Sequence, residues 1–526
     1  MSKADDYFLS TLFTDDKGVN SSEIICRANF NPCNNKYNHF IDARQPGVGK
    51  TSNTLNFINS NTRGKHLVIA PTHEFLEEIA KKIKKEFVVL KGFSRACRKY
   101  DDDTKEGEII REMNEKKIPN KVICRYMKCK GACYYRNQFS KANKRNVSIG
   151  MPVQFLHLYD FSVFDSIHIE ERVQGGFKLE WNTKEIYKEL LKLTEYIDNE
   201  RQKQIMEYIK NKDLENLQSE AALLSDVIQR SNAEKVTMYT KDHKEVVKPD
   251  NNFLNKICKL NVNNLLLYLE LESRDKENKL KTPYNSISVS YQKFLFYKQL
   301  KYNIQLNYNC ATFPKITFLH NLKVFEELFP QYTGVVEIKR SHYINKNVKI
   351  IKMGNSGHYK SYLDIQLAIH EPKIKKLIRN EKYNKKKKIC ILTYKRLIKD
   401  GKFLGLDAFW FGASHGINKY RKYDVLIVIG THLPNLDAYK DYFLEHHPGE
   451  DIPNFEDFIK SDGKMIPKDE RLKAFYKEKF EDDVYDSIHR LRPLWENNRK
   501  NITIYWFGNN VPEKLKEEFD YEEMDF

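Results

Sequence analysis

Three short stretches of this chain have the residue types and spacing that phosphate chemistry needs. In Arg44-Gln45-Pro46-Gly47-Val48-Gly49-Lys50-Thr51-Ser52 the two glycines allow positive φ and bring backbone N–H groups close to an anion. The candidate binding segment runs through Gly47, Val48, Gly49, Lys50, Thr51 and Ser52. Lys50 can reach the outer phosphates of a nucleoside triphosphate, the Thr51 hydroxyl suits Mg²⁺, and a following helix adds its N-terminal dipole. One position departs from the pattern G-x-x-x-x-G-K-[ST]: Arg44 stands where the first glycine is usual. Further on, Glu170-Glu171 end a strand-like run, so Glu170 can hold Mg²⁺ and Glu171 can orient an attacking water. Late in the chain Arg490 and Arg492 lie on one short segment, as arginines that stabilise transition-state charge across a cleft would. Taken singly, paired glutamates and paired arginines are ordinary solvated surface; their order behind a phosphate loop gives them this reading.

A fourth group is chemically separate. Cys97, Cys124, Cys129 and Cys133 are four of the nine cysteines of the chain, gathered in one stretch. Thiolates this close favour a soft metal or an iron–sulfur cluster. No C-x2-C pair is present, which argues against common zinc knuckles, although structural zinc and unligated core cysteines remain the alternatives. The surroundings, from Arg95 to Arg145, are densely basic, so this module is expected to touch phosphate.

The elements that must position these residues can be read from periodicity. His39 onward gives a strand that runs into the glycine turn and then a helix. Leu67 to Ala70 form a buried strand and Glu74 to Phe87 an amphipathic helix, joined at Pro71-Thr72-His73-Glu74, where Thr72 either faces a strand phosphate or simply caps the helix. Residues 182–235 carry apolar positions at helical spacing (Ile186, Leu190, Leu193, Ile197, Ile205, Ile209, Leu214, Leu217, Leu224, Ile228), with another helix expected through Phe253 to Leu271. Cys310-Ala311-Thr312 reads as a turn that senses the γ-phosphate, or as a plain strand end. A second α/β domain follows, with strands at Lys388–Thr393 and Asp424–Gly430. Between them Gly412, Gly416 and Asn418 build a loop suited to backbone phosphate contacts. Lys385 to Lys388 are best read as a solvated lysine face. Residues 1–38 are a polar lead-in with no assignable chemistry.

Composition sets the limits. At 526 residues the chain needs several domains. Lys+Arg of 89 against Asp+Glu of 72 leaves +17, which points to a polyanionic partner. No apolar run is long enough to span a membrane, and Met1 to Phe13 lack the pattern of a signal peptide, so a cytoplasmic protein with no membrane partner is expected. In that compartment the cysteines are not read as disulfides.

Taken in order, these stretches resemble the motifs of a superfamily 2 helicase: RQPGVGKT, APTHE, IHIEER, CATFP, ICILTY, GASHGIN and SIHRLRP, from about Phe40 to Pro493. A four-cysteine module before Glu170 and a helical insertion after it are similar to the layout of XPD-type iron–sulfur helicases. The resemblance implies an α/β fold of two RecA-like motor domains, with a cysteine-rich insertion and a helical arch-like insertion in the first. The implied boundaries are 1–95, 146–181 and 291–330 for the first motor, 96–145 for the cluster domain, 182–290 for the arch and 331–526 for the second motor. It implies ATP, Mg²⁺ and a 4Fe-4S cluster (Zn²⁺ as alternative), and single-stranded and forked DNA as partners of a monomer. The activity implied is ATP-driven unwinding, 5′ to 3′. The competing expectation is a nucleic-acid binder or translocase with a weak ATPase and no unwinding. Two departures stand out: Glu170-Glu171-Arg172-Val173 occupy the place of Asp-Glu-Ala-His, and Arg490 and Arg492 are closer together than the family's arginines. Compactness and Asn/Lys richness look more like a helicase of an archaeal virus or plasmid than a repair enzyme.

Overall fold

The structure, a computed structural model, describes residues 22–25, 38–46, 49–115, 120, 123–124, 127, 133–158, 161–173, 176–179, 186–188, 190–191, 194, 197, 199–220, 223–224, 287–339, 344–354, 363–412, 419–430, 432, 436–447, 451, 453–461, 464–491, 493, 501–508 and 511–524. Continuous apolar runs dictate its layers. His66–Ala70, Ile389–Thr393 and Val425–Ile429 are buried at every position, as strands covered on both faces must be.

Ten strands precede the second domain: β1 (Ser22–Ile25), β2 (His39–Asp42), β3 (His66–Ala70), β4 (Phe87–Val89), β5 (Ser148–Pro152), β6 (Ser166–Glu170), β7 (Gly176–Leu179), β8 (Ile287–Ser290), β9 (Leu306–Asn309) and β10 (Val336–Lys339). Eight of them form one sheet in the order β1-β10-β2-β9-β6-β3-β5-β4. All neighbours pair in parallel except the edge pair β1 and β10. Because β10 lies beside β2, the first domain extends past the boundary expected at 330/331. Strand pairing is non-local, and the spacing of apolar residues does not say which sheet a strand joins.

The second sheet uses β11 (Asn345–Met353), β12 (Ile389–Thr393), β13 (Lys402–Phe403), β14 (Leu406–Trp410), β15 (Val425–Ile429), β18 (Ile502–Phe507) and β19 (Phe519–Met524), in the order β13-β14-β12-β15-β18-β11-β19. It too is parallel apart from the β13–β14 edge. Between β15 and β18 lie the hairpin of β16 (Phe458–Ser461) and β17 (Lys464–Pro467) and a helical stretch: Glu470–Tyr476, a π-turn at Lys477–Glu481, Asp482–Ile488 and a 3₁₀ turn His489–Leu491.

Two insertions interrupt the first domain. The first lies between β4 and β5, where helices Lys105–Glu115 and Tyr134–Ala142 accompany a small core of Phe93, Ile110, Met113 and Ile123. The second is bounded by β7 and β8, which pair antiparallel from Gly176↔Ser290 to Leu179↔Ile287. Its described helices are Asn199–Asn211 and Leu214–Ser219. Ile186, Leu190, Ile205, Ile209, Leu217 and Leu224 belong to the same buried cluster as Ile41, Leu67, Ile169 and Leu306 of the first sheet. The helix expected through Phe253 to Leu271 lies outside the described residues. Among the described residues no helix is long and apolar enough to cross a membrane.

Candidate functional site

Strand register builds the site. Asp42 of β2, Asn309 of β9 and Glu170 of β6 are Cα partners in one row at the carboxyl ends of three adjacent parallel strands, where α/β sheets bind ligands. The chain leaving β2 turns through Gly49, which caps the helix Lys50–Ser60 with φ 89°. A side chain at that position would be strained, which explains the glycine. Among the described residues no side chain caps this helix, and its first turn holds no acid. Arg44, the departure from the glycine pattern, has its own structural role: its Nε and Nη2 donate to Asp42 Oδ1 and Oδ2 at 2.8 and 2.5 Å. Lys50 Nζ donates to the carbonyl oxygens of Arg44 (2.5 Å) and Gln45 (3.0 Å). Burial lowers the pKa of Lys50, and the nearby Asp42 works against that.

Glu170 is 2% exposed and fully engaged. Thr51 Oγ1 donates to Oε2 (2.8 Å), while Thr54 Oγ1 (2.8 Å) and Asn309 Nδ2 (2.7 Å) donate to Oε1. Burial raises its pKa despite those three donors, and the adjacent Glu171 adds to the rise. Glu171 has φ 70°, a left-handed conformation that costs a non-glycine residue strain. Its N–H donates to Asn309 O at 3.1 Å, and its two carboxylate oxygens each lie 3.2 Å from Arg490 Nη2. Arg490 comes from the second domain, and among the described residues its buried Nε has no hydrogen-bond partner.

Several of these groups line one cleft of about 280 Å³. Its walls include Gly49, Lys50, Thr51 and Ser52, the acids Glu170 and Glu171, Asn309 with Cys310 and Ala311, and from the second domain Arg421, Asp486, His489 and Arg490. Thr312 donates to Asp486 Oδ2 at 2.7 Å, so the Cys310-Ala311-Thr312 turn touches the second domain directly. Thr72 accepts from Phe75 N as a helix cap. Gly47, Val48, Arg492, Gly416 and Asn418 lie outside the described residues.

Sequence reasoning passed over several of these residues. Thr54 stands one helical turn beyond Thr51, and Asn309 immediately precedes Cys310, so both carried a signal. His489, inside SIHRLRP and directly before Arg490, carried one too, whereas Arg421 and Asp486 carried none. Nor did a buried network that ties the phosphate-loop segment to the second domain. Gln45 Nε2 donates to Glu518, which also accepts from Tyr485 OH at 2.6 Å and lies 3.1 Å from His489 Nε2. Burial works to raise the Glu518 carboxyl, but these partners hold it below its ordinary value.

The cysteine module does not form the expected metal centre among the described residues. No group of three or more His, Cys, Asp or Glu there is arranged to hold a metal. Cys97, Cys124 and Cys133 are half-buried and outside disulfides, and Cys129 lies outside the described residues. All three described thiols are close enough to Tyr135 to add to the rise of its pKa, for which burial is the main cause. Cys97, Cys124 and Tyr135 pack on the small core around Phe93.

Fold and cleft define a class: tandem α/β domains on largely parallel sheets, with a polar cleft between them at the carboxyl ends of the first sheet's strands. No family model matches the chain, and no curated protein matches its sequence. Among solved structures it is similar to one described as XPD helicase, at 12% identity over 93% of this chain and 96% of that one, with a TM-score of 0.45. A second, described as XPD in the apo state, has 12% identity over 93% and 97% and a TM-score of 0.40. A hypothetical ATP-dependent RNA helicase from Sulfolobus tokodaii has 13% identity over 90% and 88%, with a TM-score of 0.20. These likenesses are loose, and what the cleft can do follows from its own residues.

Proposed function

We propose that this chain is an ATP-dependent helicase in which two RecA-like domains hydrolyse ATP in the interdomain cleft and move along single-stranded DNA, opening forked duplex 5′ to 3′. The observation that carries it is Arg490, which crosses from the second domain to Glu171 in the same cleft as Lys50. A triphosphate supplies what each group lacks. Lys50 exchanges two loop carbonyls for phosphate oxygens. Thr51 and Glu170, whose oxygens are 2.8 Å apart, are hard ligands suited to Mg²⁺, which would neutralise phosphate charge there. Glu171 orients the water, and Arg490 stabilises the charge that develops on the transferred phosphoryl group. Net charge of +17 supplies the electrostatic grip on the polymer. DNA rather than RNA, the direction of travel and a monomeric state rest on the sequence resemblance. The cysteine module carries no step in this reading.

The test is ATP turnover with and without single-stranded DNA, together with displacement of a strand from a fork with a 5′ tail. Wild type is expected to show DNA-stimulated hydrolysis and unwinding. Lys50→Ala is expected to lose hydrolysis and keep DNA binding; undiminished turnover in that variant refutes the site. The competing reading, a nucleic-acid binder with a weak ATPase, is favoured by the engagement of Glu171 by Arg490, and hydrolysis indifferent to DNA would select it.

A further inference from the structure

Arg172 follows the strained Glu171 directly, yet it does not line the cleft. Its side chain is only 5% exposed and crosses into the second domain, where Nη1 donates to the Glu478 carbonyl at 2.7 Å and lies 3.8 Å from Asp483 Oδ1. Burial alone would lower the pKa of this guanidinium, but Asp482, Asp483 and Glu478 together more than offset it and raise it. Removing one member of such a buried set leaves uncompensated charge, so the partners specify one docked arrangement.

The recess is built at the π-turn Lys477–Glu481, an irregularity of the kind that marks functional positions in helices. Glu478 is itself held by the first domain: Thr317 N donates to its Oε1 at 3.1 Å and the Thr317 hydroxyl to its Oε2. Asp483 also faces His432, whose Nε2 is 3.2 Å from Oδ2. The same helical stretch presents Asp486 to Thr312 and continues to Arg490. Glu171 therefore sits between two fixed points. On one side its own N–H is tied to Asn309 of the first sheet; on the other the next side chain is anchored in the second domain.

We propose that Arg172 is a positioning residue whose anchoring at Glu478 and Asp483 sets the left-handed turn of Glu171, so that the water-orienting carboxylate is in place only when the two domains are docked. This deepens the proposed function and rests on its reading of Glu171. Arg172 stands where the helicase pattern has an alanine, and the consequence is a hydrolytic site licensed by domain docking.

The experiment compares wild type, Arg172→Ala, Arg172→Lys and Asp483→Asn by steady-state ATP kinetics at saturating single-stranded DNA, and by small-angle scattering without nucleotide. Displacing a reacting group by about an ångström costs on the order of 10²-fold in rate. Arg172→Ala is expected to lose about that much kcat while KM for ATP changes by no more than about twofold. Arg172→Lys, which keeps the charge and loses the planar fork, is expected to fall between the two, as is Asp483→Asn. The radius of gyration of Arg172→Ala is expected to exceed that of both wild type and Lys50→Ala. An unchanged kcat in folded Arg172→Ala, or a loss confined to KM, overturns the proposal. If wild type itself turns over no ATP, the motor reading fails separately, and the scattering comparison still decides the anchor: expansion in Arg172→Ala upholds it and equal radii overturn it.

Discussion

At Glu170 binding and stability pull in opposite directions. Burial raises its carboxyl pKa in the folded chain above the ordinary carboxylate value, so the folded state takes up the proton more readily than the unfolded one. That stabilisation is fully present below the ordinary carboxylate range and is lost as pH rises through the raised pKa. At neutral pH the buried charge is therefore a cost, of the kind a metal site carries before its cation arrives. Without Mg²⁺, Glu170→Gln is expected to melt higher than wild type at pH 7.5, by roughly 2–4 °C per kcal/mol relieved, with the gap closing toward pH 4.5. Adding Mg²⁺ with ATP is expected to favour wild type by mass action. Thermal melts across pH check this, and a variant less stable than wild type throughout would contradict it. At this scale the sequence was partly legible. Lys50, Thr51, Glu170 and Glu171 follow from local pattern, because each sits at a fixed place relative to a strand end. Asp486 and Glu518 did not, because what makes them matter is a partner far along the chain.

At the scale of elements, apolar runs such as ICILT and VLIVI announced buried parallel strands, and the glycine turn announced the helix behind it. The apolar spacing through Ile205, Ile209 and Leu217 announced helices but not their destination. Those side chains are buried in the first domain's main core, and the insertion is tethered by the β7–β8 ribbon. Nothing local distinguishes a helix that packs on its host from one that packs on itself, and the same blindness misplaced the end of the first domain short of β10. Ile205→Ala is expected to cost about 2–5 kcal/mol and to lower the main unfolding transition of the first domain. Calorimetry would contradict this packing if the variant shifted only a separate, minor transition.

At the scale of the whole molecule, two sheets of eight and seven strands bring together groups that are far apart in sequence. The first sheet supplies the glycine-led helix and the twin acids; the second supplies the arginine. Neither domain alone has the complete cleft, which is the design expected where opening and closing are coupled to hydrolysis. In the proposed function Arg490 acts across this cleft on the triphosphate that Lys50 and Glu170 hold. The most direct measurement is DNA-stimulated ATP turnover by Arg490→Ala, read beside its affinity for a non-hydrolysable ATP analogue. Turnover is expected to fall by about 10³-fold or more, with affinity changed only a few-fold. Turnover at the wild-type rate would contradict it.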